Sequence, residues 1–194
     1  MTAPAEGRIG PNALLQLIPV LDRTLGAPDR LRLFARAGAG AVPSDQMIAE
    51  GPVAQVHRAV RARLPDQAQA LMQEAGRGTA DYILAHRIPK PAQRLLRALP
   101  RRLAAPLLAR AIARNAWTFA GSGQFRIVSV RPMVFEIADN PMVRGEAALH
   151  PVCAWHVAVF QRLFAALVDP RVAVTETACC ACGAPACRFV LHLP

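Results

Sequence analysis

The sequence predicts an α+β fold: N-terminal helices, then a β-β-α-β-β unit whose antiparallel sheet is covered on one face by its helix. Three features predict it. Apolar residues recur at three- and four-residue spacing through the first half of the chain. Short β-branched and aromatic runs then come in two pairs, one on either side of a single long apolar helix. The last pair is joined by a cysteine-rich connection ending in Gly183-Ala-Pro185.

From residue 10 to about 36, Leu14, Leu17, Ile18, Leu21 and Leu25 share one helical stripe, and Gly26-Ala-Pro28 breaks it. Asp29 is placed to cap a second helix through Phe34, and Ser44 or Asp45 a third that carries Met47 and Ile48. Residues 52–64 and 66–86 read as two further helices divided at Pro65, whose ring cannot continue the backbone ladder. Pro89-Lys-Pro91 marks a turn. Beyond it Leu95, Leu96, Leu99 and Leu103 form one stripe and Arg94, Arg97 and Arg101 another. That is a basic amphipathic helix, kinked near Pro100 or Pro106 and running on toward Asn115. Residues 125–130 and 133–137 read as a strand pair around Arg131-Pro132, with Asp139-Asn-Pro141 ending the second. A long helix follows over 151–168, with proline in its first turn and Asp169-Pro170 as its stop. Residues 172–177 and 188–193 are the last two strands. The chain reads as one domain over 1–194, with 1–50 a helical N-terminal extension and 51–194 the core.

With 194 residues, 53% of them apolar and 19% charged, the chain can bury a core without disulfides. The start, Met1-Thr-Ala-Pro-Ala-Glu-Gly-Arg8, lacks a basic region followed by an apolar stretch, and no window reaches the length of a membrane span. The expected location is cytoplasmic, with contact at the inner, photosynthetic membrane as a peripheral option. The net charge of +10 is concentrated: Asp81 to Glu136 holds ten basic residues, from Arg87 to Arg131, and no acidic one between those ends. Such a block attracts an anionic partner, whether a membrane surface, a nucleic acid, an acidic protein or a carboxylate ligand. Over 90–114 the pattern suits either a helix lying on an anionic membrane or one packed by its leucines. Aromatic residues are absent from the basic run and no recognition motif appears, so nucleic acid is not expected.

Cysteine usage points to a metal. Four of the five cysteines fall between Cys179 and Cys187, in the pattern Glu176-x2-Cys179-x3-Gly183-x3-Cys187, and Cys153 stands upstream at the start of the long helix. Three thiols and a carboxylate make a four-ligand set for tetrahedral zinc, closed and therefore structural. Spacing alone leaves alternatives open: Cys180 or Cys182 could exchange with a named ligand, and His156 could replace Glu176.

The pattern Glu-x2-Cys-x3-Gly-x3-Cys-x-Phe, met here by Glu176, Cys179, Gly183, Cys187 and Phe189, resembles that of the 4-vinyl reductase (4VR) domain family. The resemblance implies a zinc ion on Cys153, Glu176, Cys179 and Cys187, a small-molecule-binding domain, and a homodimer. Arg8-Ile-Gly-Pro-Asn12, the stretch from Trp117 to Phe125, Asn140-Pro-x2-Arg-Gly-Glu146 and Cys153-Ala-Trp-His156 resemble the bacteriochlorophyll-biosynthesis, BchJ-type branch. Proteins of that type have been labelled 4-vinyl reductases of the chlorophyllide pathway.

A reductase needs an electron source. Gly121-Ser-Gly123 lacks the third glycine and leads into a strand rather than a helix, so no NAD or flavin motif is found. No catalytic residues stand out. A tetrapyrrole carrier or accessory protein in bacteriochlorophyll biosynthesis is the favoured expectation, with pigment-pathway enzymes as partners; divinyl (proto)chlorophyllide 4-vinyl (8-vinyl) reductase is the alternative. A magnesium tetrapyrrole wants aromatic walls, a cationic rim and an axial donor. Trp117, Phe119, Phe125, Phe135 and Trp155 are candidate walls, Arg126, Arg131 and Arg144 candidate carboxylate partners, and His150 or His156 a candidate axial ligand. Each has a plainer role available, as core aromatic, solvated charge or internally bonded histidine.

Overall fold

The computed structural model describes residues 7–193; residues 1–6, with most of the N-terminal segment read above, and Pro194 lie outside the described residues. The chain opens with β1 (Arg8–Ile9), α1 (Asn12–Leu15), α2 (Leu17–Leu25) and α3 (Ala27–Arg36). The break before α3 falls at Gly26, whose φ of 81° suits glycine, and Pro28 lies in the first turn of α3 where its missing N–H costs nothing. Next come β2 (Ile48–Ala49), α4 (Glu50–Arg63) and α5 (Pro65–His86). The helix expected from Ser44 or Asp45 is absent. Ile48 instead pairs antiparallel with Ile9, and α4 starts only at Glu50.

The basic segment is two helices rather than one kinked helix, α6 (Lys90–Ala98) and α7 (Arg101–Arg114). Pro100 pushes Leu99 into an extended backbone, ψ 146°, which ends α6 outright, whereas Pro106 is absorbed inside α7. There follow α8 (Trp117–Ala120), β3 (Gln124–Val130), β4 (Met133–Ala138), α9 (Ala154–Leu167), β5 (Ala173–Ala178) and β6 (Ala186–His192). The four long strands form one antiparallel sheet in the order β3-β4-β6-β5, with a bulge in β3 between Ile127 and Ser129. This is the expected β-β-α-β-β unit, inside an α+β fold.

Helix α9 is apolar nearly all round because it is covered nearly all round. Phe160 and Phe164 point to the sheet, where Phe160 meets Phe135 and Phe189 with ring centroids 5.3 Å apart in each pair. On its other side α9 packs on α5. The approach is so close that a Cβ on Gly76 would stand 2.4 Å from the carbonyl oxygen of Trp155 and 2.8 Å from the Ala158 Cβ. Leu14, Leu17 and Leu21 of the first helices lie in the same buried cluster. Buried His57 of α4 meets the Ala13 carbonyl oxygen through Nε2 at 3.0 Å, tying α4 to α1.

Two outcomes are expected. Gly76→Ala should destabilise the protein by about 1–3 kcal/mol, the usual cost of overpacking, although alanine favours a helix. Chemical denaturation checks it, and an unchanged or higher midpoint contradicts the close packing. Burial, with Arg61 adding repulsion, pushes His57 down from 6.5 to about 3. Between those values the unfolded chain binds the extra proton, so stability falls as pH drops through that window. His57→Gln keeps an N–H donor and should show a shallower slope from pH 6.5 downward; equal slopes would contradict it.

Candidate functional site

Four donors converge where the start of α9 meets the β5–β6 connection. Cys153 is the residue just before α9, one position short of the first turn expected for it. Glu176 sits in β5 opposite Phe189, Cys179 follows the strand, and Cys187 is the second residue of β6. The connection is a 3-10 turn, Cys180–Cys182, closed by Gly183 at φ 84°. The Sγ of Cys153 lies 3.5 Å from that of Cys187, and Cys179 lies 3.9 Å from each. All four donor atoms fall within 4.8 Å of one another.

These spacings are too long for a disulfide, whose S–S bond is about 2.0 Å. They match the edges of a tetrahedron with metal–sulfur bonds of about 2.3 Å, which are about 3.8 Å long. The surroundings donate toward the sulfurs: Asn140 Nδ2 lies 3.5 Å from Cys153 Sγ and 3.4 Å from Cys187 Sγ, and the Cys180 N–H lies 3.3 Å from Cys187 Sγ. Such donors stabilise thiolates and orient metal ligands. Glu176 Oε2 accepts from the Cys153 backbone N–H at 2.8 Å, while buried Oε1 has no partner among the described residues. Burial, with the Cys179 sulfur beside it, lifts Glu176 to about 8. Contact with Cys179 and Cys187 holds Cys153 well above the usual thiol range, and contact with Cys153 and Cys187 holds Cys179 well below it. A cation would relieve this crowding of acidic groups and satisfy Oε1. The set suits a four-coordinate metal ion and leaves no open position. His156, Cys180 and Cys182 stay out of it: the His156 Nε2 faces the Phe119 carbonyl oxygen at 3.3 Å, Cys180 Sγ points to the Ile137 carbonyl, and Cys182 is exposed.

The residues expected to hold an organic ligand lie in three separate places. Phe119, Phe125 and His156 are packed with Phe135 and Phe160 in the core; Phe119–Phe125 and Phe125–Phe135 centroids are 5.3 and 5.2 Å apart. Trp155 is buried against His156, with its Nε1 unpartnered among the described residues. Trp117 and His150 are exposed. Arg126 lies on the outer sheet face, where it and Arg188 flank the Glu136 carboxylate. Arg144 reaches buried Glu50 and the Ser122 hydroxyl, each at 2.9 Å. Glu50 also accepts from the Ser122 N–H and hydroxyl, and a Cβ on Gly121 would stand 2.4 Å from its Oε2. The Gly121-Ser-Gly123 turn therefore wraps a carboxylate, the wrong charge for cradling phosphate.

A groove of about 680 Å³ lies elsewhere, between the first turns of α7 and the far end of the sheet. That volume is within the roughly 300–1,000 Å³ of small-molecule sites. Val130, Met133 and Leu191 give it an apolar floor, and Arg101, Arg102, Arg131 and Arg171 stand around it. Asp169 pairs with Arg101 at 3.7 Å and with Arg171 at 2.9 Å. Arg102 and Arg131 make no ion pair among the described residues. Of these arginines, the sequence singles out only Arg131 as a ligand contact. Arg101 and Arg102 belong to the acid-free block, which is the available signal; Arg171 and Leu191 come from strands whose ends reach α7 only in the fold.

The 4-vinyl reductase (4VR) domain model matches residues 133–193, from β4 to just beyond β6, which hold all four metal-site donors. The chain is 58% identical over 185 residues to the bacteriochlorophyll synthase 23 kDa chain of Cereibacter sphaeroides, covering 95% of this chain and 90% of that one. Among solved structures, one from a study of heme distortion in the H-NOX family superposes with a TM-score of 0.59, at 9% identity and 95% coverage of each chain. The phenol-responsive sensory domain of the transcription activator PoxR superposes with a TM-score of 0.55 at 14% identity, over 86% of this chain and 90% of that one. These two distant likenesses describe the fold. Sequence identity along nearly the whole length goes further: the chain belongs to the 4-vinyl reductase (4VR) domain family, in the branch of the bacteriochlorophyll synthase 23 kDa chains.

Proposed function

We propose that this protein binds a carboxylate-bearing magnesium tetrapyrrole in the groove beside α7 and serves bacteriochlorophyll synthesis as a carrier or accessory chain. The observation that carries the proposal is the groove's combination of an apolar floor with the unpaired guanidinium groups of Arg102 and Arg131. A tetrapyrrole is flat and apolar with carboxylates at its edge, and guanidinium meets carboxylate through two parallel hydrogen bonds. His192, on the groove wall, offers an imidazole to the central metal. The name of the Cereibacter relative supports the pathway, and the H-NOX and PoxR structures associate the same fold with heme and with phenol. The reading includes a homodimer and pigment-pathway enzymes as partners, as the family resemblance implies.

The metal at Cys153, Glu176, Cys179 and Cys187 is zinc in this reading, because three thiolates and a carboxylate at these spacings favour it. Its contribution is to folding: it ties the start of α9 to the last hairpin.

Pigment and metal are each open to test. Adding divinyl protochlorophyllide to the purified protein should shift the pigment spectrum, and Arg102→Gln with Arg131→Gln should weaken binding about tenfold or more. Reduced nicotinamide should produce no turnover. Catalytic vinyl reduction would overturn the carrier reading, and an unchanged spectrum would overturn both it and the reductase alternative. Elemental analysis should find one zinc per chain, lost in Cys153→Ser and Cys179→Ser with a lower melting temperature, and kept in Cys182→Ser. Full zinc in either of the first two variants would contradict the ligand set.

A further inference from the structure

Helices α6 and α7 are each held to the core by one stripe of side chains: Gln93 and Leu96 in α6, and Ala104, Ala105, Leu108, Ala109 and Ile112 in α7. A second apolar stripe is left over. Leu95, Leu103 and Leu107 are 58%, 54% and 43% exposed, and Leu103 and Leu107 stand one turn apart on the outer face of α7. Trp117, three residues beyond the end of α7, is 56% exposed. Around these leucines stand Arg94, Arg102, Arg110 and Arg114, all exposed, and none makes a side-chain hydrogen bond or ion pair among the described residues. No acidic residue occurs between Asp81 and Glu136 to neutralise them.

We infer that the outer face of α6 and α7 is a docking surface for an anionic lipid bilayer. Exposed leucines interleaved with unpaired arginines on short helices are what an interfacial amphipathic segment requires: the apolar side chains enter the acyl boundary while the guanidinium groups meet lipid phosphates. Tryptophan prefers the same depth. No described helix is long and apolar enough to cross a membrane, so the contact is with one leaflet. Charge decides against a second copy of this chain, because a symmetric contact would bring the two arginine sets together. The leucines decide against nucleic acid, since phosphate contact has no use for them. The inference is independent of pigment binding.

Sedimentation of the full chain with pigment-free vesicles tests it. Vesicles with one-third phosphatidylglycerol in phosphatidylcholine should bind the protein, more weakly as salt rises, and pure phosphatidylcholine vesicles should not. Leu95→Ser, Leu103→Ser and Leu107→Ser together should weaken binding at least tenfold. Arg110→Gln and Arg114→Gln should weaken it about fivefold for each charge removed. The replaced side chains are exposed, so melting curves should match the unsubstituted protein, and the arginine pair is an independent check on the leucine set. Failure to bind the anionic vesicles, full binding by the leucine variant, or equal affinity for duplex DNA at the same salt would overturn the inference. So would a dimer that the leucine substitutions split.

Discussion

Cys153 sits where α9 begins and the last hairpin turns back, so the donor cluster sets the position of helix against sheet before any apolar contact is counted. With that end held, Phe160 and Phe164 meet the inner sheet face at Phe135 and Phe189. The opposite side of α9 then presents the Trp155 carbonyl and Ala158 to α5, and only a residue without a Cβ fits there, which is Gly76. Sliding α9 along its axis would break all three contacts together. Each fully buried aromatic side chain contributes roughly 1.5–3 kcal/mol by leaving water. Those gains depend on the register that the cluster imposes.

Local chemistry is what the sequence makes legible. Gly26 and Pro65 end helices through their own backbone constraints, and both breaks appear where the residues demand them. The two strand pairs and the long apolar helix carry their periodicity in plain view. The cysteine spacing, with Cys153 added through a family resemblance, names the residues that the fold brings within 4.8 Å. What escaped are features made by distant pairing. Ile48 has a helical-looking neighbourhood, yet its backbone bonds to Ile9. The arginines beside the groove come from α7, the β3–β4 turn and the start of β5, and nothing local links them.

Aromatic residues in the middle of the chain illustrate a more general ambiguity. A ring in a sequence can wall a pocket or fill a core, and periodicity does not separate the two. Here Phe119, Phe125 and His156 stack edge to face or tilted among Phe135, Phe160 and Phe189 at ordinary contact distances. Charge is easier to place, because a buried arginine needs a partner and an exposed one does not. The acid-free block therefore kept its meaning through folding: part of it rims the groove and part faces outward from α6 and α7. The two surfaces meet at Arg101 and Arg102. A pigment bound in the groove would thus lie beside the face proposed to rest on lipid, separated from the metal cluster by the length of the sheet.

Ring-current shifts offer the most direct test of where the pigment sits. A porphyrin macrocycle shifts the NMR signals of any methyl group it covers. Titrating magnesium protoporphyrin into the isotope-labelled full chain should move the methyl signals of Val130, Met133 and Leu191 most, and leave the ring signals of Phe119, Phe125 and His156 in place. Large shifts in that aromatic cluster, with the groove methyls unmoved, would contradict the account.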